Sequence, residues 1–189
     1  MKVGVLSDTH GSTESLTKAQ EIFNDCRVIF HAGDVLYHGP RNPLPAGYDP
    51  QQLSEQINNL AAPIFIARGN CDAEVDELVL QAPLLTPYFY SYLEGLKILL
   101  LHGTGYNESN LVELGLKYGV NVVIFGHTHI PVLKEESGVV LLNPGSPALP
   151  KSSSATVGLI DTNANKAGIM DLEENKCVRE LEIFNAKND

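Results

Sequence analysis

Short runs of apolar residues rich in β-branched side chains recur along the chain and stop at glycine or at a polar residue. The clearest run begins at Val28 and leads into Gly33 and Asp34. A continuous apolar run of this length is typical of a strand that is buried on both faces of a sheet. Four further strands of this kind are predicted at residues 3–7, 64–67, 97–101 and 122–125.

Helical spacing of apolar residues separates several of these strands. Ser12 can act as the N-cap of a first helix, and residues 49–52 open a second with an N-cap aspartate, a proline at N1 and a glutamine at N3. The second helix is expected to end at residues 61–63, and a third ends at Gly119 in a C-cap role. The predicted apolar faces are Leu16, Ala19, Ile22 and Phe23, then Leu53, Ile57 and Leu60, then Leu111, Leu114 and Tyr118.

From residue 83 the pattern changes to short strands and turns. Aromatic residues within 87–93, followed by Glu94-Gly95, predict a β-hairpin in which Tyr88, Tyr90 and Tyr92 share one face. We expect this face to belong to the core or to an interface, and this interpretation is favoured over a platform on which bases stack. Further strands are predicted at 132–134, 139–142, 155–161, 168–172 and 177–184. This order favours an α/β (α+β) protein with two packed sheets flanked by helices.

Composition favours one domain. With 189 residues, of which 43% are hydrophobic, the chain is long enough for one well-buried core and short for two. We expect a single domain over residues 1–185 and a flexible tail at 186–189. The three cysteines form no C-x-x-C pair, so neither a disulfide framework nor a zinc knuckle is predicted. No signal peptide or membrane span is apparent, and we expect a cytoplasmic protein without membrane contact.

Side chains of metal-ligand type follow five of the predicted strands. A lone Gly-Asp pair is more often a loop cap, and a lone histidine at a strand end is more often a polar loop residue. Several of them together are poorly explained by chance, because strand carboxyl ends in an open α/β sheet meet at one ligand-binding edge. The candidates are Asp8, His10, Asp34, Asn70, His102, His127 and His129.

This ligand set predicts a transition-metal centre. Carboxylates combined with imidazoles suit Mn²⁺, Fe²⁺ or Zn²⁺, and the lack of thiolate-rich ligation counts against a purely structural zinc. The candidates are too many for one tetrahedral ion and about right for two ions that share a bridge. Two ions roughly 3.5 to 4 Å apart clamp the attacking and leaving oxygens of an in-line displacement. The pattern therefore predicts phosphoester hydrolysis.

These motifs resemble those of the calcineurin-like metallophosphoesterases, and within that family the small bacterial phosphodiesterases of the YfcE type. The resemblance covers nearly the whole chain in the same order and includes the loop at 38–42. The motifs are Asp8-x-His10, Gly33-Asp34, Gly69-Asn70-Cys71-Asp72, His102-Gly103, Gly126-His127-Thr128-His129 and Asn143-Pro144-Gly145-Ser146.

The resemblance implies a four-layer α/β/β/α sandwich of two mixed sheets with two divalent ions per chain. Mn²⁺ is the expected metal, with Zn²⁺, Fe²⁺, Ni²⁺ and Mg²⁺ as alternatives. Asp34 would bridge the ions, and a hydroxide between them would attack a small phosphodiester. Asp8, His10 and His129 would hold the first ion, and Asn70, His102 and His127 the second.

Two departures from the broad family narrow the function. Cys71 stands where most members of the broad family have a histidine that serves as a general acid or an oxyanion donor. The YfcE-type branch resembles this chain in having a cysteine at this position. A thiol is a weak hydrogen-bond donor, so leaving groups that need little protonation are favoured. Residues 33–37 lack the Asp-Arg-Gly continuation of the serine/threonine protein phosphatases, which disfavours that activity.

Other residues are weaker candidates. Arg41, in the proline-rich loop after Asp34, could meet a phosphate oxygen or be a solvated loop arginine. Asp72 could orient a neighbour, with Arg68 as the expected partner. His31 is expected to be a hydrogen-bonded core residue, and 143–146 a structural turn that lines the site with backbone groups. The candidate catalytic residues are Asp34, Asn70, Cys71, Asp72 and Arg41.

Two functions from different classes remain open. The net charge of −10 argues against an extended nucleic-acid surface and favours a small phosphodiester as substrate. The alternative is a catalytically weak or inactive scaffold that binds protein partners, as the resemblance implies for one endosomal sorting subunit of this fold. Cys71 supports the alternative, and the complete ligand set argues against it. A homo-oligomer is compatible with the sequence.

Overall fold

The computed structural model describes residues 1–85 and 87–183. The strands are β1 (Lys2–Leu6), β2 (Val28–His31), β3 (Ile64–Ala67), β4 (Leu84–Leu85), β5 (Phe89–Leu93), β6 (Leu96–Leu100), β7 (Val122–Ile124), β8 (Val132–Glu136), β9 (Val139–Asn143), β10 (Thr156–Asp161), β11 (Lys166–Asp171) and β12 (Lys176–Glu182). The α-helices are α1 (Thr13–Ile22), α2 (Pro50–Asn58) and α3 (Glu108–Tyr118).

Both sheets are mixed. The first has the order β12-β11-β10-β1-β2-β3-β4, in which β1 to β4 are parallel and β10 to β12 are antiparallel to their neighbours. The second has the order β5-β6-β7-β9-β8, with a parallel centre of β6, β7 and β9. The carboxyl ends of β1, β2 and β3 therefore share one edge, and those of β6 and β7 share another.

Three apolar clusters separate four layers. Alternate residues of β2 explain its continuous apolar run, because Phe30 packs between the two sheets while Ile29 packs against α1 and α2. Leu111 of α3 covers the outer face of the second sheet beside Val123. The expected α/β/β/α sandwich of two mixed sheets is confirmed.

Capping residues explain where the helices begin and end. The Ser12 side chain accepts the Ser15 N–H at the start of α1, and the Asp49 side chain accepts the Gln52 N–H at the start of α2. Gly119 ends α3 in the left-handed conformation with φ 62°. These caps were predicted. The expected end of α2 at 61–63 is wrong, because the helix already ends at Asn58.

Other differences from the sequence expectations are local. A short 3₁₀ helix, Glu74–Leu78, and the strand β4 were not predicted. Tyr90 and Tyr92 are exposed, so the predicted tyrosine face of β5 is not core. The assignment of residues 1–185 to one domain stays a prediction, and the expected tail at 186–189 lies outside the described residues. Within 1–85 and 87–183, no helix combines the length and the apolar character needed to cross a membrane.

Candidate metal centre

Two groups of ligand atoms converge between the sheets. Asp8, His10 and His129 offer atoms that all lie within 4.8 Å of one another, and the same holds for Asp34, His102 and His127. Each group combines strand ends of the first sheet with strand ends of the second. A third overlapping group, formed by His10, Asp34 and Cys71, links the two.

Backbone conformation singles out the same residues. Asp8, His10, Asp34, His127 and His129 all have positive φ angles, between 47° and 68°. The other non-glycine residues of this kind within the described ranges lie in the turns of the four β-hairpins, namely Glu94, Ser137, Asn165 and Asn175. Left-handed backbone away from turns is sparsely populated and clusters at functional sites. In this molecule it turns the side chains at consecutive strand ends toward one point.

The first group presents atoms that lack protein partners. Asp8 is fully buried, and its Oδ1 makes no hydrogen bond to any described residue. His129 Nε2 lies 3.3 Å from that oxygen and 3.2 Å from His10 Nε2. Each ring donates its Nδ1–H to a carbonyl, of Tyr37 for His10 and of Leu149 for His129, which leaves the Nε2 lone pairs facing each other. A cation is the species that satisfies these three atoms together.

The second group has the same character. His102 donates its Nδ1–H to the Ala32 carbonyl, and its Nε2 lies 3.4 Å from Asp34 Oδ2 and 3.1 Å from Asn70 Oδ1. Thr104 donates its hydroxyl proton to the same Asn70 oxygen and thereby orients the amide. The donor atoms of the predicted ligands therefore converge. Hydrogen bonds from neighbouring groups orient the ligands of metal sites in the same way.

The pKa values describe a site built for positive charge. Burial would raise the pKa of Asp8, but the adjacent imidazoles of His10 and His129 reverse this and leave the pKa far below its ordinary value. Burial would lower the pKa of His102, but its hydrogen bond with Asp34 and the charges of Asp8 and Asp34 raise it to about 9. Two buried carboxylates therefore stay ionised and attract cations. This oxygen and nitrogen donor set fits divalent transition ions.

Asp72 supports Asp34 through the backbone. Its carboxylate accepts the N–H groups of Asp34, Val35 and Gly69 at 2.7 to 2.9 Å. The expected pairing of Asp72 with Arg68 is wrong, since Arg68 Nη2 instead lies 3.4 Å from Glu77. The Asp72 carboxylate binds backbone N–H groups because the loop after β3 folds against the loop after β2. Asp72 is therefore a positioning residue.

Two glycines allow the close packing around the carboxylates. A Cβ added to Gly69 would lie 2.2 Å from Asp34 Oδ1, and one added to Gly126 would lie 1.8 Å from Ser7 Oγ. Both distances are far below van der Waals contact. The motifs Gly-Asn and Gly-His therefore need glycine because a carboxylate or its partner occupies the space of the side chain.

The segment 143–146 braces the site with side chains. The Asn143 amide donates to the Gly126 carbonyl and to the Thr128 hydroxyl, and the Ser146 hydroxyl donates to the Asp8 carbonyl. Asn143 is the last residue of β9, and the site contacts expected from backbone groups of this segment are made by its side chains.

A cavity of about 340 Å³ opens onto the centre. Asp34, His127 and His129 line one side of it. Arg41 and Lys151 line it as well, so two cationic side chains face the candidate metal ligands. Lys151 was missed from the sequence, where it stands before three serines and resembles a solvated loop. In the structure the Lys151 N–H donates a hydrogen bond to the His129 carbonyl, a contact between residues 22 positions apart that the sequence does not reveal.

His31 is a neutral core residue, as expected. Its Nδ1 accepts the Gly33 N–H, so its Nε2 must donate to the Thr9 hydroxyl, which in turn donates to the Val35 carbonyl. Burial lowers the pKa of His31 to about 4. The folded protein therefore binds this proton less readily than the unfolded chain does.

This shift predicts a pH dependence of stability. The contribution of His31 is fully present above its unfolded pKa of about 6.5 and is lost as the pH falls from there toward 4. Between pH 7.5 and pH 5, the metal-free protein should lose about 2 kcal/mol of unfolding free energy that His31→Gln does not lose. Urea unfolding in chelator at both pH values measures the difference. Equal losses in the two proteins would contradict the assignment.

Fold and site together define a metallophosphoesterase. A layered sandwich holds carboxylates and imidazoles at the ends of its central strands, and this donor set fits divalent metal ions. A family model described as the calcineurin-like phosphoesterase superfamily domain matches residues 1–165, and the chain belongs to this family. The resemblance predicted from the motifs is confirmed.

Known relatives are similar over most of their length. Phosphodiesterase YfcE of Escherichia coli K12 is 37% identical over 166 residues, which cover 86% of this chain and 89% of that protein. A solved structure of that phosphoesterase has a TM-score of 0.85 at 32% identity and covers 97% of this chain and 100% of its own. Phosphodiesterase MJ0936 of Methanocaldococcus jannaschii is 30% identical over 171 residues, with 86% and 93% coverage.

A more distant neighbour shares the fold. Vacuolar protein sorting 29 from Cryptosporidium parvum has a TM-score of 0.71 at 19% identity, with 96% of this chain and 97% of that chain covered. At this identity the likeness concerns the fold alone.

Proposed function

We propose that the protein is a divalent-metal-dependent phosphodiesterase that hydrolyses small phosphodiesters at a centre of two ions bridged by Asp34. The observation that carries the proposal is the pair of ligand groups around Asp34, each within 4.8 Å and each drawn from both sheets. Relatives named as phosphodiesterases at 37% and 30% identity support the same reaction.

The chain's own residues have distinct roles in this proposal. Asp8, His10 and His129 would hold the first ion, Asn70, His102 and His127 would hold the second, and Asp34 would be a ligand of both. When bound, the ions supply a hydroxide nucleophile from water and neutralise charge on the phosphoryl oxygens. Arg41 and Lys151 line the cavity beside them, where guanidinium and ammonium groups can bind phosphate oxygens.

Charge favours diesters as substrates. The two carboxylates and the hydroxide would offset about three of the four positive charges of two divalent ions, since the imidazoles and the Asn70 amide are neutral as ligands. The remaining positive charge and the two cationic side chains suit the single negative charge of a small diester. The protein's net charge of −10 disfavours a long polyanion.

Cys71 favours leaving groups that depart without a proton. Burial raises the pKa of its thiol to about 12, so the side chain is neutral at physiological pH and only a weak donor. Its backbone N–H donates to Asp34 Oδ1 at 2.7 Å, which supports the bridge. Aryl diesters, whose oxides leave readily, are the expected substrates in an assay.

Metal removal tests the function. Protein dialysed against chelator should lose turnover of bis(4-nitrophenyl) phosphate and recover it with Mn²⁺, while binding close to two ions per chain, because both ligand groups must be filled. Atomic absorption and a colorimetric assay measure the two quantities. Activity that survives exhaustive chelation contradicts the mechanism, and a fully loaded protein without turnover supports the scaffold alternative.

A further inference from the structure

A second cavity adjoins the centre on the side away from Arg41. It has a volume of about 290 Å³, and Asn70 lines both it and the cavity described above. His102, from the second ligand group, also lines it. The centre therefore opens in two directions, toward cationic side chains on one side and toward a different set of residues on the other.

Two tyrosines form a fixed wall of this second cavity. Tyr88 precedes β5 and Tyr106 follows β6, and their hydroxyls share a hydrogen bond of 3.0 Å. Tyr88 also packs against the Tyr118 ring, with the centroids 5.9 Å apart. Because the hydroxyls bind each other, the rings are held in place with their apolar area available for a ligand. We call this space the tyrosine cavity.

Arg68 completes the tyrosine cavity. Its Nη2 lies 3.4 Å from Glu77, whereas its Nε is buried and makes no hydrogen bond to any residue within 1–85 and 87–183. Buried guanidinium nitrogens normally have acceptors, so the Nε without one indicates that a ligand in this cavity offers an acceptor or a π face to the guanidinium. Pro87 adds a further apolar surface.

The size of the tyrosine cavity limits its occupant. Pockets for drug-sized ligands have volumes of about 300 to 1,000 Å³, so this cavity lies at the lower end and takes one aromatic group. A phosphodiester carries two substituents on one phosphorus. A substrate held at the ions can therefore place one substituent here and extend the other past Arg41 and Lys151.

We propose that the tyrosine cavity binds an aromatic ester substituent of the substrate, so that the enzyme selects diesters with an aryl or heteroaromatic group. The inference rests on the proposed function, since it takes the metal centre as the site that holds the phosphoryl group. Tyr88 and Tyr106 are then specificity-determining residues that contribute binding without taking part in the chemical step.

Phosphonates test the tyrosine cavity without turnover. Calorimetry on the Mn²⁺-loaded protein should show phenylphosphonate binding about tenfold more tightly than methylphosphonate, because the phenyl ring packs on the two tyrosines. The double variant Tyr88→Leu/Tyr106→Leu should reduce this preference to below about twofold and leave the methylphosphonate Kd unchanged. Tyr88→Phe/Tyr106→Phe keeps both rings but removes the hydroxyl hydrogen bond, so its preference should lie between those of the wild type and the leucine double variant.

Tyr92→Leu is the matched control. Tyr92 is an exposed tyrosine of β5 that does not line the cavity, so its replacement should leave both Kd values unchanged. A tenfold preference that persists in the leucine double variant, or is absent from the wild type, overturns the inference. If methylphosphonate binds and diesters turn over without any phenyl preference, the cavity assignment alone fails. If the Mn²⁺-loaded protein turns over no diester, the proposed function fails with it.

Discussion

Replacement of Asp34 by asparagine should lower kcat by roughly 10³-fold or more at saturating metal. Loss of a supporting group around a metal ligand alone costs roughly 10- to 100-fold. Asp34 Oδ2 lies near histidines of both ligand groups, 3.9 Å from His10 Nε2 and 3.4 Å from His102 Nε2. Asparagine keeps the shape and can still accept the Cys71 N–H at Oδ1, so the fold should be retained. What is lost is the negative charge shared by the ions.

The comparison that gives this result meaning is Arg41→Ala. Arg41 lines the cavity from an exposed position and makes no hydrogen bond to a candidate ligand among the described residues. Replacing it should therefore lower kcat by less than about tenfold. Both variants are assayed with bis(4-nitrophenyl) phosphate across a Mn²⁺ titration, with thermal unfolding as the check on folding. Equal losses in kcat would remove Asp34 from its bridging role.

Gly69→Ala should disrupt the centre although no ligand is changed. The added methyl group would lie 2.2 Å from Asp34 Oδ1 and 2.4 Å from the Asp34 nitrogen, so the aspartate and its loop must move. Gly69 has no positive φ, so the alanine backbone itself is unstrained and the effect comes from this contact. We expect the affinity for the ions to fall by at least roughly 10- to 100-fold, with activity falling in parallel.

Gly168→Ala provides the matched control. Gly168 lies in β11 of the same sheet, also lacks a positive φ, and an added Cβ would approach no atom closer than the Cys177 sulfur at 3.2 Å. Metal titration and the assay should give values close to wild type for this variant. A Gly69→Ala protein that binds two ions as tightly as wild type would show that the loop yields without moving Asp34.

The elements that could be predicted from the sequence were those with a continuous apolar run or with apolar residues at helical spacing. β2 and β3 were predicted from their continuous apolar runs, and α3 because Leu111 and Gly119 mark its face and its end. The strand β4 has two residues and the 3₁₀ helix has five, which is too short for a period to be recognised. Prediction failed where an element has no repeating pattern of its own.

The candidate site was predictable to the extent that its chemistry lies in side-chain type. The aspartates and histidines at strand ends predicted the ligand groups. The position of Lys151 in the cavity wall could not be predicted, because its neighbours in the sequence are small and polar. The partner of Asp72 could not be predicted either. Its carboxylate binds three backbone N–H groups, which every residue except proline possesses.

The ligand groups and the central strand pairing join residues that are far apart in the sequence, which affects the order of events during synthesis. Asp8 meets His129, and β1 pairs with β10, whose first residue is Thr156. A ribosome must therefore synthesise more than two thirds of the 189 residues before the first ligand group is complete or the central strand of the first sheet has both neighbours. The nascent chain carries its early aspartates and histidines without the geometry to capture an ion. The first ligand group is thus complete only once residue 129 has been synthesised, and we expect metal loading to be a late event in biogenesis.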